Sequence, residues 1–225
     1  MNDTPRNGMR SAEHNAMNLH DYYARMRHSF DAMTTDTPVI FDLCAGGGRD
    51  TVYMRDYLTS LGKSPQLVAV DDDGQRLKDA LYHFKGQFTP CFDPQQVTQT
   101  LKTGRLAYLY DSLPDINALV QTGLKADFIL CNAGIMFIAP ERLSRAFNTM
   151  ADILKDGGEI MIRYSNYRPS PYPNGYYKHK LERVLDIFNR ETNLKADHIG
   201  DMRDANWDHD KKRQFHWHDL RVLKK

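Results

Sequence analysis

The chain has 225 residues, of which 41% are hydrophobic, 26% charged and 11% aromatic. That is enough for one α/β domain burying about 70–75% of its unfolded surface, and it excludes disorder, collagen-like repeats and a disulfide scaffold. Thirty Lys and Arg against 29 Asp and Glu leave a net charge of +1, so no global attraction to a polyanion exists.

Residues 1–13 read as a loose tail. Leu19, Tyr22, Tyr23, Met26, Phe30 and Met33 then recur at helical spacing over about 14–33. Residues 1–34 form the expected tail and leading helix, and residues 35–225 the main domain. From there strand and helix alternate. Strands are expected at 39–44, 66–71, 105–110, 126–132 and 159–164, with two more near 195–200 and 214–223. Helices are expected at 49–61, around Leu77 to Phe84, near 94–102, after Pro114, at 140–154 and at 178–190. Pro114 suits a first helical position, and Gly157-Gly158 reads as the end of the 140–154 helix. Such alternation implies parallel strands with helices on both faces, a doubly wound α/β fold.

Three cysteines, Cys44, Cys91 and Cys131, are too few and too scattered for a secreted framework, and no CxxC pair suggests zinc. The amino terminus carries no signal-peptide core. The longest apolar stretch, Phe128 to Ala139, is too short to span a bilayer. The expectation is a soluble cytoplasmic protein with no membrane partner.

The strongest motif is Phe41-Asp42-Leu43-Cys44-Ala45-Gly46-Gly47-Gly48-Arg49-Asp50: a strand, an acid, a glycine-rich turn and a helix start. Glycines permit a tight bend and close ligand approach, and the helix start offers N–H groups. The turn suits a dinucleotide, a nucleotide or S-adenosylmethionine (SAM). A P-loop ends Gly-Lys-Ser/Thr, whereas Gly48-Arg49-Asp50 stands here. The dinucleotide fingerprint wants a third small residue where Thr51 sits. Asp42, four residues before Gly46, places a carboxylate to face an ammonium group, which favours SAM.

Asp71 ends the second strand, 23 residues after Gly48, in position to accept from ribose hydroxyls. Asp72 and Asp73 fit a cap for the helix starting near Gly74, and Asp72 also belongs to the candidate cofactor set. Asp111-Ser112-Leu113 follows the third strand, where a carboxylate can reach an adenine amino group or cap a helix. Asn132 and Ala133, after the fourth strand, line the floor of the crevice.

Taken in order, FDLCAGGGRD (41–50), LVAVDDD (67–73), YDSLPDINAL (110–119), the run from Ala126 to Tyr164 and the closing HWHDLRVLKK resemble a class I SAM-dependent methyltransferase of the bacterial methyltransferase-domain type. The resemblance implies a Rossmann-like, doubly wound seven-stranded sheet, mostly parallel, with the last strand antiparallel. It implies SAM as cofactor and in-line methyl transfer to a small-molecule acceptor, with the leading helix covering the substrate. Cofactor contacts then fall to Asp42, Cys44, Ala45, Gly46, Gly48, Asp71, Asp72, Asp111, Ser112, Leu113, Asn132 and Ala133. Arg163, at the end of the fifth strand, is the expected anchor for an acidic substrate group, and Tyr22 and Met136 are the other candidate substrate contacts. Tyr23, Tyr164 and His179 are the candidate general bases.

Asn132-Ala133-Gly134-Ile135 stands where nucleobase amino-methylating members carry Asn/Asp-Pro-Pro-aromatic, which argues against that reaction. No Pro-Cys follows the fourth strand, which argues against a cytosine-C5 mechanism. The alternatives are an RNA-, DNA- or protein-directed methyltransferase and a non-catalytic SAM-binding protein. Lys178, His179, Lys180, Lys211, Lys212 and Arg213 form a candidate basic rim, but nucleic acid is not favoured at this net charge. His216 and His218 alternate on a strand and His209 lies nearby, without a third well-spaced ligand, so no metal site is expected.

Overall fold

A computed structural model describes residues 12–165, 176–204 and 215–224. Residues 166–175 and, from the candidate basic rim and the histidine group, His209, Lys211, Lys212 and Arg213 lie outside the described residues. The chain divides into two units, Met1–Met33 and Thr34–Lys225. The first contains helix α1 (Ala12–Asp31). Tyr22, Met26 and Phe30, four residues apart on one helical face, are fully buried. The Tyr22 and Tyr23 rings lie 5.4 Å apart.

The second unit runs β1 (Val39–Leu43), α2 (Arg49–Ser60), β2 (Gln66–Asp71), α3 (Gly74–His83), β3 (Phe88–Cys91), α4 (Pro94–Lys102), β4 (Leu106–Tyr110), α5 (Asn117–Gln121), β5 (Ala126–Asn132), α6 (Leu143–Asp152), β6 (Leu154–Ser165), α7 (Leu181–Glu191), β7 (Leu194–Asp204) and β8 (Phe215–Lys224). Among the described residues the strands form one eight-stranded sheet in the order β3-β4-β2-β1-β5-β6-β8-β7. β3 to β6 pair in parallel, and β8 runs antiparallel to both β6 and β7. Every residue of β1 is buried, as a central parallel strand covered on both faces requires. On one face, Leu143, Ala146, Phe147 and Met150 of α6 repeat at helical spacing and join a core running from Phe41 through Ile129 to Val222. Phe147 stacks on Phe188 of α7 with centroids 3.8 Å apart. Among the described residues no helix is long and apolar enough to cross a membrane.

Four details correct the sequence reading. The sheet has eight strands, not seven, because β3, Phe-Thr-Pro-Cys, adds an edge strand beside β4. Helix α5 starts at Asn117 rather than Pro114, which follows a cis peptide bond. Its start is set by Asp111, whose Oδ2 accepts from the Ala118 and Leu119 N–H groups at 2.9 and 3.3 Å. The expected 140–154 helix opens as a 3-10 turn at Pro140–Arg142 and stops at Asp152. Gly157 and Gly158 do not end it: they lie inside β6, in an irregularity between the Ala126–Leu154 and Phe128–Glu159 pairings.

Candidate functional site

Strands β1, β2, β4 and β5 all end on the same edge of the sheet, where open α/β folds bind ligands. After β1 the chain turns through Cys44 (φ +61), Gly46 (φ +53) and Gly48 (φ +75) into α2. The Ala45 N–H donates to the Val70 carbonyl at 3.0 Å and the Gly48 N–H to the Ala45 carbonyl at 3.0 Å, which fixes the turn against β2. After β5 the chain turns again at Ala133 (φ +59). A β-carbon on the next residue, Gly134, would fall 2.5 Å from Cys44 Sγ and 2.8 Å from Cys131 Sγ. Only a glycine lets the two turns meet this closely.

A cavity of about 690 Å³ opens between these turns, a size usual for small-molecule sites. Six carboxylates line it, Asp42, Asp50, Asp71, Asp72, Asp73 and Asp111, against two guanidinium groups, Arg49 and Arg76. Cys44, Ala45, Gly46, Ser112, Leu113, Asn132 and Ala133 also line it; Gly48 does not and serves the turn instead. β-carbons built on Gly46 and Gly47 meet nothing within 4 Å, so the turn is open toward the cavity.

The carboxylates are held individually. Buried Asp42 accepts from Thr51 Oγ1 at 2.6 Å. Desolvation, and then repulsion from Asp50, pushes its carboxyl up to about 8 against the pull of Thr51 and Arg49. Asp50, in the first turn of α2, accepts from Asn132 Nδ2 and Arg49 Nε, both at 2.9 Å. Asp71 accepts from the Gly46 N–H at 2.8 Å and the Asp73 N–H at 3.0 Å, so it sets the glycine turn. Burial raises its carboxyl, and those two N–H groups oppose the rise. Asp73 alone caps α3, accepting from the Gln75 N–H at 2.8 Å. Asp72, expected to share that role, instead accepts from Ser112 Oγ at 2.6 Å and ties β2 to β4. Tyr108 donates to the Gly46 carbonyl from below, its hydroxyl held protonated by burial and by the Asp71 and Asp42 charges.

The substrate and base candidates sit differently. Met136 is buried in the core and does not line the cavity. Arg163 is buried, its Nε 3.1 Å from Asp219 Oδ1 and its guanidinium over the Trp217 ring, and it too lies outside the lining. Tyr164 is fully buried. His179 is buried with Nε2 3.1 and 3.0 Å from the Ile135 and Ile138 carbonyls. Carbonyls only accept, so Nε2 carries the proton, and burial depresses the ring's basicity. Tyr23 is half-buried on α1, and Tyr22 is buried on the same helix. The sequence reading passed over Asp50, Arg49, Arg76, Phe137 and Ile138, all on the cavity wall. An acid in the first helical turn after a glycine loop was the signal for Asp50.

No family model matches the chain. No curated protein matches it either. Solved structures do. Magnesium protoporphyrin IX methyltransferase (ChlM) from Synechocystis PCC 6803, with bound SAH, superposes with a TM-score of 0.57 at 12% identity over 95% of this chain and 83% of its own. The N-methyltransferase NodS from Bradyrhizobium japonicum WM9 gives 0.57 at 12% over 93% and 98%. TehB from Haemophilus influenzae gives 0.58 at 16% over 90% and 62%. At these identities the likeness concerns architecture: the chain has the fold of the class I SAM-dependent methyltransferases.

Proposed function

We propose that the protein transfers a methyl group from SAM to a small-molecule acceptor by in-line displacement. The observation that carries this reading is six carboxylates and an open glycine turn gathered around one cavity. A zwitterionic, sulfonium-bearing ligand fits that surplus of negative charge, while a polyphosphate does not. When bound, SAM supplies an activated methyl whose leaving group is a neutral thioether.

The chain's own groups then bind and align. Asp71, already fixed to the glycine turn, keeps acceptor capacity for ribose hydroxyls. Asp42 and Asp50 face the ammonium end, and Asp111 the adenine side. Alignment of donor and nucleophile is worth roughly 7–11 kcal/mol, so the reading assigns no general base. His179 and Tyr164, both outside the cavity lining, are not given that role. Support for a small acceptor comes from the neighbours, ChlM and NodS, which are named for small-molecule or N-methyl transfer.

Titration calorimetry with SAM tests the reading. One-to-one binding is expected, and Asp71→Ala should weaken it at least about tenfold by freeing the turn. Absence of binding at millimolar SAM would overturn it. Binding without turnover on a broad acceptor panel would move the protein to the non-catalytic alternative.

A further inference from the structure

On an ideal strand, residues i and i+3 point to opposite faces. His198 and Asp201 of β7 nonetheless share one. The register runs His198–Leu220, then Gly200–Asp219 and Asp201–His218, so Ile199 is an extra residue in a bulge. Because directly paired residues share a face, the bulge brings His198, Asp201 and His218 together on the side that carries Leu220. His198 Nε2 and His218 Nδ1 each lie 2.8 Å from the same oxygen, Asp201 Oδ1. The donor atoms of all three residues lie within 4.8 Å of one another.

We propose that His198, Asp201 and His218 bind a divalent transition-metal ion of the zinc class. Two imidazoles and a carboxylate are a borderline-soft set suited to Zn²⁺, Co²⁺ or Ni²⁺ rather than to Mg²⁺ or Ca²⁺. Around a tetrahedral ion with bonds of about 2.0 Å, donors stand about 3.3 Å apart. The present 2.8 Å contacts therefore need to open by only about half an ångström. His218 is anchored, with its side chain 5% exposed and its ring against that of Tyr164, while Asp201 at 41% gives an ion a way in from solvent. Three protein donors leave a position for water or for a donor atom of an incoming molecule. The sequence had paired His218 with His216. The bulge, which periodicity does not show, supplies His198 and Asp201 instead.

The site lies on the cavity's edge of the sheet: Asn132 pairs with Arg163, Arg163 with Asp219, and Asp219 is adjacent in sequence to His218. At about 4.8 Å per strand, β8 is about 10 Å from β5. The ion would therefore stand beside the crevice and not at the methyl group.

The test uses the full chain stripped with a chelator. Zn²⁺ is titrated by calorimetry, and Co²⁺ is followed by its visible absorption, which is intense only for tetrahedral coordination. One tight equivalent and an intense Co²⁺ spectrum are expected. His198→Gln keeps a hydrogen bond to Asp201 but removes the imidazole, so it should weaken Zn²⁺ at least about tenfold and abolish the tetrahedral spectrum. His218→Gln should do the same, with circular dichroism confirming the fold. His83→Gln, on exposed α3, should leave both signals unchanged. Weak non-stoichiometric Zn²⁺ binding, or binding unaltered by His198→Gln, would overturn the proposal and leave the trio a plain hydrogen-bonded cluster.

Discussion

A β-carbon on Gly48 would lie 2.6 Å from Cζ and 2.8 Å from Cε2 of Phe88, so the glycine turn is seated directly on the edge strand β3. Gly48 also has φ +75, which a side chain resists. Gly48→Ala should cost about 2–4 kcal/mol from strain and overpacking together, lowering Tm by roughly 5–15 °C. Phe88→Leu should recover part of that loss in the double variant but none of the φ strain. A thermal melt of the three variants checks this. An additive double variant would show that the ring is not the obstacle.

Asp42 gives the protein a pH signature. Its folded carboxyl titrates near 8, above the ordinary 3.8, so the folded state holds a proton that the unfolded state has lost. Stability of the free protein should therefore fall as pH rises from about 4 to about 8, by about 1.4 kcal/mol per pH unit at most. Asp42→Asn should flatten that slope. Melts at pH 5.5 and 7.5 read it directly.

Ligand binding should show the opposite trend. A cationic ligand favours ionised Asp42, so SAM affinity should rise by up to about tenfold per pH unit between 5.5 and 7. Binding should release a proton, measurable by calorimetry in buffers of different ionisation enthalpy. A flat affinity profile would place the ammonium elsewhere.

The Arg163–Asp219 pair is buried on both sides, at 7% and 2% side-chain exposure. Removing one partner takes a buried counter-charge from the other. Asp219→Ala should destabilise by about 3–5 kcal/mol, while replacing both by apolar residues should cost far less. Chemical denaturation of the single and double variants measures the difference.

Tyr164 has a buried hydroxyl with no hydrogen-bond partner among the described residues, and burial with Glu182 and Asp201 nearby raises its ionisation out of reach. Tyr164→Phe removes an unsatisfied polar group. It should leave stability equal or higher by up to about 1 kcal/mol and methyl transfer unchanged. Lost turnover in a folded Tyr164→Phe would restore it as a base.

Much of the cavity lining was legible in the sequence because its parts are written in residue type: glycines where the backbone bends, acids at strand ends. The parallel core was legible for a similar reason, since runs such as Val39-Ile40-Phe41 have little other use. Strand β3 was hidden because four residues including Pro90 carry no alternation. Asp72 and Asp73 look alike in the chain, and only the position of Ser112 separates a bridge from a cap. Tyr164 shows what a strand-end position leaves open: a side chain at the cavity's edge of the sheet can still face the core, and His179, just before α7, is likewise buried.

Pro90 has one more effect. The Leu106 N–H donates to the Gln87 carbonyl, so in this parallel ladder the odd-numbered residues of β3 face β4 and Pro90 faces away. A residue without an amide hydrogen thus stands on the outer margin, where another chain would dock its backbone. That margin thereby lacks one of the donors an incoming strand would need, which blunts it as a template for edge-to-edge aggregation.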